Sequence, residues 1–146
     1  MLVRDWMTRN PVTIGPDTPV QEAYRIFREY EIRHLPVVDN RGRLIGLVSD
    51  HDIGSLLFQR LGDDGPRELG TVEAVMTRNV ICIHADEQMS KTALLLHNRK
   101  FGCLPVVGVN EELLGIITTN DMLEILIALL TDQEKVDEED DDQALG

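Results

Sequence analysis

Apolar positions recur along this chain in two matching series. Val12-Thr13-Ile14 is a short β-rich run. Thr18-Pro19-Val20-Gln21 then reads as a helix start: Thr18 can cap, Pro19 suits the first turn, and Gln21 completes a capping box. Val20, Ala23, Tyr24, Phe27 and Tyr30 form a stripe at helical spacing. Leu35–Val38 and Leu44–Val48 are apolar, β-rich runs flanking Asp39-Asn40-Arg41-Gly42, a hairpin signal. A second helix is predicted to begin near Ser49-Asp50. The plan then repeats through Ile81–Ile83, Met89–Leu96, Leu104–Val107 and Leu113–Ile117.

The two series superpose without a gap. Residues 3–53 fall on 72–122 at a constant offset of 69, with 14 identities in 51 positions. Met7-Thr8-Arg9-Asn10 matches Met76-Thr77-Arg78-Asn79, and Leu35-Pro36-Val37-Val38 matches Leu104-Pro105-Val106-Val107. Clustering of this kind marks a duplicated unit. The predicted fold is of the α+β class: two tandem β-α-β-β-α repeats packed as one pseudo-two-fold module, because a three-stranded sheet with two helices cannot bury both faces alone. The expected organisation is a first repeat over residues 1–61, a linker over 62–71 containing Gly62-Asp63-Asp64-Gly65-Pro66, a second repeat over 72–130, and a tail over 131–146. Ligand sites are expected in the clefts between the halves.

Charge changes this picture at one end. The chain of 146 residues carries a net charge of -12. From Thr131 onward there are eight acids against the single base Lys135, with no aromatic residue, so this acidic tail is expected to be disordered. The remainder is mildly acidic, which argues against binding to a nucleic-acid backbone. No apolar run is long enough to span a membrane, and the opening Met1-Leu2-Val3-Arg4-Asp5-Trp6 does not read as a secretory leader. Cys82 and Cys103 sit in apolar stretches and are expected as packed thiols of a cytoplasmic protein.

The candidate chemistry lies where the last strand of each repeat meets its helix. Ser49 and Thr118 stand at a strand end, where free backbone N–H groups, a hydroxyl and the helix dipole converge in a way that suits a phosphate. Asp52 and Asp121 follow one turn on, and their carboxylates can accept bonds from both hydroxyls of a ribose. The simpler role of the same residues is helix capping, and a cap can also bind ligand. Gly46 and Gly115, having no side chain, would let a flat base approach the strand. His34, His51, His84 and His97 have no ligand spacing, so no metal is expected. With no nucleophile and base pair, P-loop or dinucleotide fingerprint, no enzyme is expected and no cofactor is required.

A repeat with Met-Thr near its start, a Leu-Pro-Val-Val strand and a Gly-x-x-Ser/Thr-x-x-Asp ending resembles the CBS domain, here as a tandem pair. The endings are Gly46-Leu47-Val48-Ser49-Asp50-His51-Asp52 and Gly115-Ile116-Ile117-Thr118-Thr119-Asn120-Asp121. The opening Val3-Arg4-Asp5-Trp6-Met7-Thr8 resembles stand-alone bacterial CBS proteins of the acetoin-utilization type. The resemblance implies a regulatory sensor for an adenosine nucleotide (AMP, ADP or ATP, with S-adenosylmethionine or NAD as alternatives). It implies phosphate and ribose contacts from Ser49 with Asp52 and Thr118 with Asp121. It also implies adenine contacts along Thr13-Ile14 and Cys82-Ile83, and lining by Arg33 and His34.

Arg33, His34 and His51 are expected to give the first copy's site the more positive potential. Met122–Leu130 is apolar all round except Glu124, so one side is expected to meet a second subunit, giving a homodimer. A dimerisation scaffold that binds only a protein partner is the alternative function.

Overall fold

The opening of each repeat crosses over to pack on the other repeat. The computed structural model describes residues 1–61 and 69–145. A short helix α1 (Val3–Trp6) leads into β1 (Thr8–Arg9), which pairs antiparallel with β6 (Leu113–Thr118) of the second repeat through Thr8 opposite Ile116 and Arg9 opposite Gly115. The second repeat opens with a single 3₁₀ turn, Val72–Ala74, and returns the exchange: Thr77 bridges Leu47 of β3 (Leu44–Ser49) in the first repeat. The backbone bonds obey the same symmetry. The Val3 amide donates to the Glu87 carbonyl at 3.0 Å, and the equivalent Val72 amide donates to Thr18 at 2.9 Å. The apolar anchors follow, with Val3 in the core of the second repeat and Val72 and Met76 in that of the first.

Within each repeat the expected helix and hairpin form. Helix α2 (Val20–Tyr30) buries Val20, Ala23 and Phe27, whereas Tyr30 is 56% exposed. Its start differs from the prediction. Pro19 is the N-cap and its ring has no group that could make a capping bond, while the Thr18 carbonyl accepts the incoming Val72 amide. Strands β2 (His34–Val38) and β3 pair antiparallel, and α3 (Asp50–Leu61) follows. At the hairpin turn Asp39 accepts bonds from the Arg41 and Arg43 amides at 2.9 and 3.0 Å, and Gly42 takes φ +76. The second repeat supplies β4 (Ile83–His84), α4 (Met89–Arg99), β5 (Cys103–Val107), β6 and α5 (Thr119–Leu145).

The first strand of each repeat is shorter than predicted. Of Val12–Ile14 only Ile14 pairs, in parallel with Val37, while Val12 packs against the core by its side chain. Of Ile81–Ile83 only Ile83 remains, continued by His84. The predicted linker lies outside the described residues except for its end, where Gly70 takes φ +80 and its carbonyl accepts the Val20 amide.

The acidic segment continues α5, which runs to Leu145. Gln, Glu, Lys and Ala are good helix formers, no Gly or Pro interrupts them, and Gln133 bonds Asp137 one turn on at 3.1 Å. Its side chains are exposed through residue 143, so this helix rests on local propensity alone.

Gly46 and Gly115 explain how the exchange is accommodated. A Cβ at Gly115 would lie 2.6 Å from the Thr8 carbonyl oxygen, and one at Gly46 would collide with the Met76 thioether. The glycines therefore admit the other repeat's lead segment and are not open to a flat base. Backbone cannot yield as a methionine can. Gly115→Ala should destabilise by about 1–3 kcal/mol and Gly46→Ala by less, as measured by urea unfolding. A Gly115→Ala protein as stable as the parent would refute the close approach.

Candidate functional site

The crossing of the lead segments creates a cleft at the strand-to-helix junction of the first repeat. Ser49 is the last residue of β3, and its hydroxyl accepts the Asp52 amide at 3.1 Å. That bond caps α3, whose Asp50 amide donates to the Arg33 carbonyl at 2.9 Å, and Ser49 and Asp52 border a cavity of about 500 Å³. His34, Leu47, Ser49 and Asp52 line one side, and Thr77, Asn79, Val80 and Ile81 from the other repeat's lead line the second. Lys100, Phe101, Gly102 and Cys103, after α4, close it. One wall thus offers hydroxyls, a carboxylate and an ammonium group. The other offers Val80, Ile81 and an aromatic ring.

The capping role is real in both repeats, with a difference. Thr118 accepts the Asp121 amide at 3.2 Å, and the Asp121 carboxylate accepts the Thr118 amide at 2.8 Å, a reciprocal capping box. In the first repeat the return bond is absent, and the Asp52 carboxylate is exposed to the cleft. Asp52 is therefore free to accept bonds from a ligand, whereas Asp121 is already engaged.

The remaining predicted residues scatter. Of that set, His34, Ser49 and Asp52 share the cleft, and Thr118 and Asp121 stand at the equivalent junction. Ile14 and Ile83 are buried in the two cores, and Thr13 is exposed. Cys82 lines a separate hollow with Leu44, Ile45 and Glu111, its thiol donating to the Val80 carbonyl at 3.1 Å. Burial, with Glu111 nearby, raises the Cys82 thiol above its ordinary value, and burial pushes Cys103 up to about 12, so both stay protonated.

His51 lies on a shallow patch with Gly54, Ser55, Phe58 and Gln59 and takes no part in the cleft. Position 51 follows the cap by two residues, and the helical turn directs it away from Asp52. Arg33 is not among the residues that line this cleft, and under the 69-residue offset it corresponds to Gly102, which is. The single basic cluster of Arg33, His34 and His51 expected in the first copy is thus divided.

Sequence reasoning missed Thr77, Asn79, Val80, Ile81, Lys100 and Phe101. One signal was available. The Thr-Arg-Asn identity of the two leads ends in Asn10 and Asn79, whose φ values of 47 and 53 turn the chain sharply, a conformation asparagine tolerates. Among the described residues no cluster could hold a metal ion, and no helix is long and apolar enough to cross a membrane.

A duplicated unit with exchanged leads and a polar-apolar cleft between halves defines a paired ligand-binding module. The sequence profile of the CBS domain matches residues 3–58 and 72–128, and the chain belongs to that family. A solved structure from Vibrio cholerae ascribed to acetoin utilization (AcuB) is 32% identical with a TM-score of 0.83, covering 92% of this chain and 97% of that one. The CBS domain pair of protein MJ0100, solved with 5′-methylthioadenosine and S-adenosylmethionine, is 31% identical with a TM-score of 0.77, covering 88% and 97%. CBSX2 solved with AMP is 29% identical, also with a TM-score of 0.77 and the same coverage.

Curated relatives include L-aspartate semialdehyde sulfurtransferase of Methanocaldococcus jannaschii, 33% identical over 121 residues. Those residues are 83% of this chain but only 22% of that protein, and the chain spans about a fifth to a quarter of the first curated relatives it matches.

His34 is packed against Gly102 and its protonation is disfavoured first by burial and then by Arg33, with Asp50 and Asp52 opposing. Its folded value lies below the ordinary 6.5. The unfolded chain then binds the proton more readily, so this group's contribution to stability is intact above pH 6.5 and is lost as pH falls through that value toward the folded one. His34→Gln should flatten the stability profile between neutral and mildly acid pH, as measured by urea unfolding across pH. An unchanged profile would show that His34 is not buried in this way.

Proposed function

We propose that this protein is a regulatory sensor that binds an adenosine nucleotide in the cleft at Ser49 and Asp52 and transmits occupancy through the relative orientation of its repeats. The observation that carries this is the meeting of the capped N-terminus of α3, an unengaged Asp52 carboxylate, the Lys100 ammonium and the apolar Val80, Ile81 and Phe101 in one cavity of nucleotide size. The helix end and the Ser49 hydroxyl suit phosphate, Asp52 suits a ribose diol, and Val80, Ile81 and Phe101 suit a base. Ligands seen in related pairs, AMP in CBSX2 and adenosine thioethers and sulfonium compounds in MJ0100, agree with that chemistry. AMP, ADP and ATP are the preferred candidates, with S-adenosylmethionine or NAD next. We assign the chain no catalysis of its own and a cytoplasmic site of action.

Because the lead of each repeat lines the cleft of the other, a ligand there touches both halves. It shifts the pair only through differential affinity for two arrangements. Asp52→Ala should weaken adenosine nucleotides by about 1–3 kcal/mol, read by calorimetric titration. Thermal unfolding against millimolar AMP, ADP, ATP, S-adenosylmethionine and NAD tests the class. A ligand at about 100 times its Kd adds about 2.7 kcal/mol. A flat response to all five would overturn the reading and favour a scaffold that engages a protein partner.

The scaffold component rests on α5. Leu123, Leu126, Ile127, Leu129 and Leu130 are exposed, and only Ile125 is buried. So many exposed aliphatic side chains on one helix support a homodimer formed there. Ile127→Glu should convert a dimer to a monomer in sedimentation at micromolar concentration. A parent protein that sediments as a monomer would remove the claim.

A further inference from the structure

The 69-residue offset relates α2 to α4, yet the residues that cap their C-terminal ends carry opposite charge. Glu31 ends α2 and Lys100 ends α4. Both take the left-handed conformation, with φ 53 and 55, and the amide following each closes onto its helix in the same way: Ile32 to the Phe27 carbonyl at 3.2 Å, and Phe101 to Leu96 at 3.1 Å. Left-handed backbone is costly for a residue with a Cβ and is usually left to Gly or Asn. The same constrained backbone therefore presents a cation at one place and an anion at its counterpart.

Lys100 lines the cleft of Ser49 and Asp52 and makes no ion pair among the described residues. It is the one lysine or arginine in that lining. His34 beside it is held toward the neutral form. At the second junction Glu31 holds the place of Lys100, and Arg33 holds that of Gly102. The first cleft thus sets one ammonium group against the Asp52 carboxylate.

We infer that Lys100 makes the cleft at Ser49 and Asp52 selective for anionic, phosphate-bearing adenosine ligands. This rests on the adenosine-binding reading above. The ammonium attracts a phosphate and makes a charge-assisted hydrogen bond that a nucleoside without phosphate cannot accept.

The test uses the whole chain and calorimetric titration with AMP and with uncharged 5′-methylthioadenosine. Asp52→Ala identifies which binding event belongs to the first cleft. There, Lys100→Glu should weaken AMP about tenfold and change 5′-methylthioadenosine less than about twofold. In the unaltered protein, added KCl should weaken AMP more than 5′-methylthioadenosine, a readout that needs no variant to fold. Equal losses for both ligands, or AMP binding indifferent to Lys100 and to salt, would overturn the charge selection while leaving the nucleotide reading intact. If the unaltered protein binds neither ligand, the nucleotide reading fails and this inference with it.

Discussion

The structure depends on the reciprocal exchange of the lead segments. Val3 is anchored in the core of the second repeat and Val72 in that of the first, and the bonds from their amides occupy symmetry-equivalent carbonyls. Each hairpin gains an extra partner along β3 or β6, and each core gains a buried valine. Neither half completes its sheet or its core alone, which couples the repeats more firmly than contact between two closed surfaces would. The exchange is feasible only because Gly46 and Gly115 leave room for Met76 and for the Thr8 carbonyl.

The candidate site follows from the same exchange. Ser49 and Asp52 come from one repeat, and Thr77, Asn79, Val80 and Ile81 come from the lead of the other. A molecule bound between them bridges the two halves at the seam that holds them together. That is where a small ligand can bias the arrangement of the pair at least cost. The caps supply the rigidity: the Ser49 and Thr118 hydroxyls accept the Asp52 and Asp121 amides and tie down the first turn of α3 and α5.

Symmetry of backbone does not extend to chemistry. The offset of 69 relates every exchanged bond, yet Asp121 is locked in its cap while Asp52 is not, and Glu31 faces Lys100 across the pseudo-two-fold correspondence. Duplication preserves the positions that carry the exchange, Val3, Met7, Thr8 and Gly46 with their counterparts. The positions that only line a cleft are free to diverge, because their substitution leaves the fold undisturbed.

Taken alone, the sequence determined the duplication, the α+β class, the order of helix and hairpin in each repeat, and the helix caps that Ser49 and Thr118 form with Asp52 and Asp121. These are local or periodic properties: a stripe at helical spacing, a turn at Asp39–Gly42 and a hydroxyl three residues before an acid are visible within a few residues of chain. Only the tertiary structure decided which segments meet. Gly46 and Gly115 read equally well as space for a base or for a neighbouring chain, and the Met76 side chain and Thr8 carbonyl settle the matter. His51 and Arg33 left the site, and Lys100 and Phe101 entered. Each of these outcomes depends on residues from the opposite repeat, and nothing in the local sequence of one strand records which distant strand will lie beside it.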